Sequence, residues 1–189
     1  MLTRLNRLHH WYCNRDAWKR HVREELVAPA IEGMELGDAL EIGPGFGPAT
    51  EVLAARSSRL TALEIDPRLA GPLRDRLGDR AEILEGDGAA MPFPDGSFDV
   101  VACFTMLHHV PSADTQDRLF AEARRVLRPG GRFIGTDSIG RGPGFWLLHI
   151  GDTKVLLDPA ELPRRLEDVG FADVRVTTEG EALRFAARS

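Results

Sequence analysis

The chain of 189 residues has the length of one domain and is long enough to bury a single hydrophobic core. Hydrophobic residues make up 43% of it and charged residues 28%, which excludes a disordered chain or a coiled coil. The formal net charge of −5 argues against a broad basic surface for nucleic acid or anionic membranes.

The two cysteines, Cys13 and Cys103, are too few for a disulfide framework, and neither lies at zinc-ligand spacing. The most apolar run, residues 100–107, is far shorter than the ~20 residues that cross a bilayer. The N-terminus lacks the apolar stretch of a secretory signal. We therefore expect a soluble, cytoplasmic protein without a membrane span.

The first part of the chain is predicted to be helical. Apolar side chains recur there at every fourth residue, namely Trp18, Val22, Leu26 and Ala30. This spacing indicates one amphipathic helix over about residues 14–33.

From residue 38 the pattern changes to strands that alternate with helices. Strands are predicted at residues 39–42, 60–65, 81–85, 98–105 and 132–136. Helices are predicted to begin after the caps Asp66, Ser112 or Asp114, and Asp158. Two closing strands, 173–178 and 181–187, are joined by a turn at Gly180 and should pair antiparallel. The pattern as a whole predicts a doubly wound, mostly parallel α/β sheet.

A glycine-rich turn follows the first strand at once. Gly43, Gly45 and Gly47 let the backbone turn tightly and approach a ligand at the start of the next helix. A dinucleotide fingerprint needs its third glycine where this chain has Pro48, so a nicotinamide cofactor is disfavoured.

Three carboxylates lie at the ends of the first three strands. Glu41 precedes the glycine turn, where it would repel a pyrophosphate and attract a cation. Glu64 could accept hydrogen bonds from both hydroxyls of a ribose, and Asp87 from an exocyclic adenine amine. An adenosine with a positively charged amino-acid tail, such as S-adenosylmethionine, fits all three.

The segments around these residues resemble, in order, the motifs of the class I S-adenosylmethionine-dependent methyltransferases. The matching segments are LEIGPGFG at 40–47, ALEID at 62–66, EGDG at 85–88, MPFPDGSFD at 91–99 and RVLRPGG at 125–131. The resemblance is greatest to the quinone and sterol methyltransferases. It implies a Rossmann-like sheet of seven strands in the order 3-2-1-4-5-7-6.

The resemblance also implies that S-adenosylmethionine binds at the carboxyl ends of the first strands. The residues predicted to bind it are Glu41, Gly43, Gly45, Gly47, Glu64, Ile65, Asp87, Gly88, Phe104 and Thr105.

His108 and His109 follow the fourth strand and are the candidate catalytic residues. Methyl transfer from a sulfonium needs a general base only if the acceptor loses a proton, and both histidines lie where such a base would lie. The alternative is that they shape the loop. His108 could also join His149 and Asp152 in a metal site, but their wide separation in sequence supports this weakly, and we predict no metal.

Methyltransferases of the type that this chain resembles often close the pocket with a segment before the first strand. We therefore predict a helical lid, residues 1–36, and a methyltransferase domain, residues 37–189. Trp11 and Tyr12 of the lid, together with His149, are predicted to contact the acceptor. The sheet is expected to fold without most of the lid unless the apolar stripe of the lid packs on it.

The predicted function is methyl transfer to a small organic acceptor, with the acceptor atom and the oligomeric state left open. One alternative is a protein that binds S-adenosylmethionine as a regulator or partner subunit without turnover. Another is an rRNA or other nucleic-acid methyltransferase, because the EIGPG and EIDP segments also resemble the rRNA group. The Asn/Asp-Pro-Pro-aromatic motif that grips a flipped base is absent after the fourth strand, so no nucleic-acid partner is expected.

Overall fold

One seven-stranded sheet organises residues 6–189, the part of the chain that the computed structural model describes. The strands are β1 (Asp38–Ile42), β2 (Arg59–Glu64), β3 (Glu82–Glu85), β4 (Phe98–Phe104), β5 (Leu127–Ser138), β6 (Ala172–Glu179) and β7 (Ala182–Arg188). They lie in the order β3-β2-β1-β4-β5-β7-β6, and only β7 runs antiparallel to its neighbours. The predicted fold class and strand order are confirmed.

Eight α-helices flank the sheet in the described residues. They are α1 (Arg7–Cys13), α2 (Asp16–His21), α3 (Ala28–Ala30), α4 (Pro48–Ala54), α5 (Pro67–Leu77), α6 (Ala113–Val126), α7 (Pro143–Leu148) and α8 (Leu162–Asp168). None of the helices described between residues 6 and 189 combines the length and the apolar character needed to cross a bilayer.

Side-chain caps set the start of two of these helices as predicted. Asp66 accepts a hydrogen bond from the amide of Arg68 at α5, and Ser112 does the same for Thr115 at α6. The predicted helix start at Asp158 is wrong, because that side chain accepts from the amide of Ala160 and closes a turn. The helix α8 begins only at Leu162.

The hydrophobic core has two parts, one on each face of the sheet. Successive side chains of a strand point to opposite faces, and in β1 Leu40 belongs to one part and Ala39 to the other. Helices α6 and α8 cover the first face, and α4, α5 and the N-terminal helices cover the second. The carboxyl ends of the parallel strands thus meet at one edge between the two layers.

The N-terminal segment divides into two parts. A π-helical turn, Val22–Val27, joins α2 to α3. The single helix predicted over residues 14–33 is therefore a continuous helical segment that contains this π-helical turn. Val22 and Leu26 are almost fully buried and belong to the second face of the core. The part after residue 21 is therefore core, and the part before it is free to act as a lid; residues 1–5 of the predicted lid lie outside the described residues.

Two matched leucine substitutions test, through the free energy of unfolding, which part of the N-terminal segment belongs to the core. Leu26 is 5% exposed, and Leu26→Ala is expected to lower the free energy of unfolding by about 2–5 kcal/mol through lost burial and a residual cavity. Leu8 on α1 is 46% exposed, and Leu8→Ala should change it by less than about 0.5 kcal/mol. Urea unfolding followed by circular dichroism measures both, and equal effects would contradict this division.

Candidate functional site

A cavity of about 960 Å³ lies at the carboxyl ends of β1, β2 and β4. Its position follows from the topology, because β1 pairs with β2 on one side and β4 on the other, and ligands of open α/β sheets bind where the strand order reverses. The glycine turn after β1 and the ends of β2 and β3 line one half. Helices α1 and α7 and the turn after β4 line the other half.

The three glycines of the turn have different surroundings. Gly45 has φ +56°, and a Cβ there would meet nothing within 4 Å, so its backbone borders open space in the cavity. Gly47 has φ +77°, and a Cβ there would lie 2.3 Å from Leu73 Cδ1 on α5. Gly43 lines the cavity beside Met106. Thus Gly43 and Gly45 border the space for a ligand, whereas Gly47 permits close packing of α5.

Glu41 is a buried acid beneath the glycine turn. Its side chain lines the cavity, the residue is 1% exposed, and Oε2 has no hydrogen-bond partner among the described residues. Burial, with a smaller contribution from the nearby Glu64, raises the pKa of Glu41 to about 8. A cationic ligand group, such as the positively charged tail of the predicted cofactor, would supply the missing partner.

Glu64 holds the walls of the cavity together at the end of β2. Its two carboxylate oxygens accept hydrogen bonds from the amides of Gly45 and Asp66, each at 2.9 Å. Burial raises the pKa of Glu64, and the backbone donors oppose that shift. Ile65 beside it is 47% exposed, which leaves an apolar face toward the cavity for a flat ring.

Asp87 and Gly88 follow β3 on the same side of the cavity. Asp87 is exposed, and its Oδ1 accepts from the amide of Ala89, so the other oxygen is accessible to a ligand. Gly88 is buried, and a Cβ there would lie 2.8 Å from Ile42 Cγ2. Gly88 lines the cavity and also allows the turn to pack on β1.

The end of β4 contributes Phe104 and Thr105, which both line the cavity. Thr105 has φ +53°, a backbone conformation that residues other than glycine rarely adopt. Its amide donates to the carbonyl of Thr136 on β5 at 2.7 Å, which helps to hold that conformation. The strained residue turns the chain toward His108 and His109.

Four histidines meet on the other half of the cavity and form the histidine cluster, His9, His108, His109 and His149. The ring centroids of the five neighbouring pairs lie between 4.1 and 5.3 Å apart. Burial lowers the pKa of His9, of His109 and of His149, the last to about 4. Those three rings are therefore neutral at physiological pH.

Acidic and carbonyl groups orient the rings of the cluster. His108 Nδ1 hydrogen-bonds Asp137 at the end of β5, and His108 Nε2 lies 3.1 Å from His149 Nε2. His149 Nδ1 lies 2.7 Å from the carbonyl oxygen of Phe145, and His9 Nδ1 lies 2.8 Å from Asp152 Oδ2. Both nitrogens of the candidate base His108 are thus engaged within the cluster.

Helix α1 is fastened across the cavity at its start and near its middle. Asn6 caps α1, and its amide and side chain donate to Asp152 and to the carbonyl of Leu148, the backbone–carboxylate bond being 2.7 Å long. At the other side the ring of His10 packs edge-on against Phe46 of the glycine turn, with 4.7 Å between centroids. The helix therefore spans from the loop after α7 to the glycine turn.

The predicted acceptor contacts are placed differently by the structure. Tyr12 and His149 line the cavity. Trp11 is 56% exposed, does not line the cavity, and lies beneath the guanidinium of Arg15 at 4.7 Å. Asn6 and Asp137 were not predicted, although Asp137 ends a parallel strand in the same way as Glu64.

Comparisons with known proteins agree with this geometry. A family model described as a methyltransferase domain matches residues 40–135, about half of the chain. The 27-O-demethylrifamycin SV methyltransferase of Amycolatopsis mediterranei is 30% identical over 187 residues, 92% of this chain and 62% of that protein. A probable S-adenosylmethionine-dependent methyltransferase of Mycolicibacterium smegmatis is 34% identical over 156 residues, 79% of this chain and 58% of that protein.

The chain thus spans about three fifths of the length of these two relatives. Among solved structures, an S-adenosylmethionine-dependent methyltransferase from Aquifex aeolicus superposes with a TM-score of 0.75 at 17% identity. The match covers 98% of this chain and 99% of that chain, and it shows the same fold.

The proton that is released when S-adenosylmethionine binds tests whether Glu41 pairs with the cationic tail of the cofactor. With a pKa of about 8, Glu41 is protonated in the free protein at pH 6.5, and a cation beside it lowers that pKa. Binding of S-adenosylmethionine at pH 6.5 is expected to release more than half a proton per ligand, and its affinity should rise as the pH rises from 6 to 7.5. Calorimetry in buffers of different ionisation enthalpy measures the proton.

Glu41→Gln is expected to abolish this release and to flatten the pH dependence below pH 7.5. Glu82→Gln, a change of an exposed residue on β3, is the matched control and should release the same proton as the unchanged protein. Proton release that persists in Glu41→Gln would assign it to another group.

Proposed function

Since residues 40–135 match the methyltransferase domain, the chain belongs to the class I S-adenosylmethionine-dependent methyltransferases, and we propose that it methylates a small organic acceptor. The observation that carries the proposal is the division of one cavity into two unlike halves. One half presents carboxyl groups and open backbone, and the other presents imidazole and aromatic side chains under a fastened helix.

The carboxyl half binds the cofactor in this proposal. Glu41 pairs with the cationic amino-acid tail, and Glu64 accepts from the ribose hydroxyls, at the position where it already accepts from Gly45. Ile65 packs on the adenine ring, and Asp87 accepts from its amine. Bound S-adenosylmethionine supplies an electrophilic methyl group on its sulfonium. The residues of this half supply orientation, which accounts for much of the rate of an in-line displacement.

The other half accommodates the acceptor. Ligand pockets usually have volumes of about 300–1,000 Å³, and the 960 Å³ here leaves room for a second small molecule beside a nucleoside. Tyr12, Met106, Phe145 and Leu148 provide an apolar and aromatic wall. We propose an acceptor with an apolar or aromatic body, which agrees with the rifamycin named for one relative.

If the acceptor must lose a proton, the histidine cluster removes it. Asp137 holds His108 Nδ1 and stabilises the positive charge that the ring gains on taking a proton. His149 adjoins His108 Nε2, so a proton can pass between these two rings toward the cavity. His108 and His109 therefore stay the proposed catalytic residues, with Asp137 as the positioning residue of His108.

Two alternatives are less well supported. A nucleic-acid substrate would need a basic approach to the cavity, whereas the chain carries a net charge of −5 and α1 lies across the acceptor half. A binding protein without turnover would not need the oriented histidine cluster. The cytoplasmic location stays part of the proposal, and both cysteines are free, as expected in a reducing compartment.

Methyl transfer is tested with the whole protein, methyl-labelled S-adenosylmethionine and a metabolite extract, with labelled products identified by mass spectrometry. The proposal expects a labelled small molecule that disappears with Glu64→Gln, a change that should weaken cofactor affinity about tenfold or more. NADH and NADPH should not bind. Tight cofactor binding without any labelled product would favour the regulatory alternative, and labelled RNA the nucleic-acid alternative.

Because α1 covers the acceptor half, we expect loosening of α1 to lower the rate of methyl transfer without weakening the binding of S-adenosylmethionine. Asn6→Ala removes the side-chain hydrogen bonds to Asp152 and to the carbonyl of Leu148 and keeps only the backbone bond to Asp152, so α1 is held less firmly and water can enter the acceptor half. Methyl transfer should fall at least tenfold, while the dissociation constant of S-adenosylmethionine changes less than about threefold. Steady-state kinetics and calorimetry measure the two.

Asn14→Ala is the matched control for this change. Asn14 ends the same helix, is exposed, and its side chain accepts only from Lys19 among the hydrogen bonds of the described residues. Turnover should stay within about twofold, and an equal loss in both variants would contradict a specific role for Asn6.

A further inference from the structure

We propose that His9, His109 and His149 bind a divalent transition-metal ion. Each residue offers one ring nitrogen, and the three nitrogens lie within 4.8 Å of one another at the wall of the cavity. The donor set is imidazole alone, which suits zinc, copper, nickel, cobalt or iron(II) and does not suit magnesium or calcium. Metal binding here does not require methyl transfer, but a bound ion would engage the ring nitrogens of His109 and His149 and leave His108 as the candidate base.

The second nitrogen of each ring is already held by an acceptor. His9 Nδ1 lies 2.8 Å from Asp152 Oδ2, and His149 Nδ1 lies 2.7 Å from the carbonyl of Phe145. His109 hydrogen-bonds the backbone of Thr153. Metal-binding histidines almost always donate their other ring N–H to a carboxylate or carbonyl in this way, which turns the lone pair of the remaining nitrogen toward the ion.

The hydrogen bond of His149 leaves its other ring nitrogen available to an ion. The carbonyl of Phe145 can only accept, so a neutral His149 carries its proton on Nδ1 and a lone pair on Nε2. His108 Nε2 lies 3.1 Å from that atom and borders the site.

The geometry suits a site with three protein ligands and one open position. Metal–nitrogen bonds of about 2.0–2.1 Å place the ligand atoms of a tetrahedral site roughly 3.4 Å apart, so the rings close by about an ångström on loading. His108 lies beside the site as a neighbour of His149. The metal alternative considered from the sequence combined His108, His149 and Asp152, whereas here Asp152 orients His9 from behind.

A bound ion would also fix the lid. The three ligands come from α1, from the turn after β4 and from the residue after α7, which are joined otherwise through Asn6 and a few hydrogen bonds. An ion that binds only when these segments are together stabilises the closed arrangement by mass action.

Metal binding is tested on untagged, chelator-treated full-length protein, titrated with Zn²⁺, Ni²⁺ and Co²⁺, with Mg²⁺ as the negative probe. We expect one transition-metal ion per chain at micromolar affinity or better, a higher melting temperature, and visible absorption bands of four- or five-coordinate Co²⁺ with nitrogen ligands. His9→Ala, His109→Ala and His149→Ala should each weaken binding at least tenfold. Asp152→Asn should weaken it about 10–100-fold through the loss of His9 orientation.

One histidine outside the cluster serves as the matched control. His21 lies on α2 and pairs with the exposed Glu25. His21→Ala should bind the ion within about threefold of the unchanged protein.

Millimolar affinity, binding that survives in the three cluster variants, or binding lost in His21→Ala would overturn the proposal. If circular dichroism shows that a cluster variant does not fold, the Co²⁺ spectrum of the unchanged protein decides. Bands of four- or five-coordinate nitrogen ligation support the site, and a spectrum like that of hydrated Co²⁺ overturns it.

Discussion

The buried carboxyl group of Glu41 is the constraint on which the arrangement of this protein depends. It lies on the central strand, between two parallel neighbours and beneath a glycine turn, where water does not reach it. An unpaired buried charge is costly, so the group stays protonated until a cation arrives. The glycine turn and Glu64 surround it with backbone that a nucleoside can approach. The sheet thereby places the cofactor half of the cavity at one fixed edge.

The acceptor half depends on contacts between distant parts of the chain. Asn6 and Asp152 are 146 residues apart in sequence, yet their hydrogen bonds bring α1 onto the loop after α7. The same contacts gather His9, His109 and His149 in one cluster. The contacts that hold α1 over the cavity thus also hold the histidines together, and the proposed metal ion would strengthen both.

Local patterns and topology explain which features were predictable. The parallel α/β class and the placement of Glu41 and Glu64 at one edge follow from alternating strands and helices, whereas the strand order followed from the family resemblance. The histidine cluster did not follow, because it joins side chains from three separate segments. The helix α7 has only six residues, too few for a periodic pattern that would predict it from sequence. The burial of Leu26 depends on which face of the sheet its helix covers, which the sequence pattern does not specify. The boundary between lid and domain stays a prediction.

The central claim is that the edge formed by β1, β2 and β3 binds S-adenosylmethionine through its three acidic residues. A crystal structure of the full-length protein with S-adenosylhomocysteine tests this most directly. The account predicts the ribose hydroxyls on Glu64, the adenine amine near Asp87 and the amino-acid tail above Glu41. A nucleoside bound elsewhere in the cavity, or one that leaves Glu41 and Glu64 without ligand contacts, would contradict it.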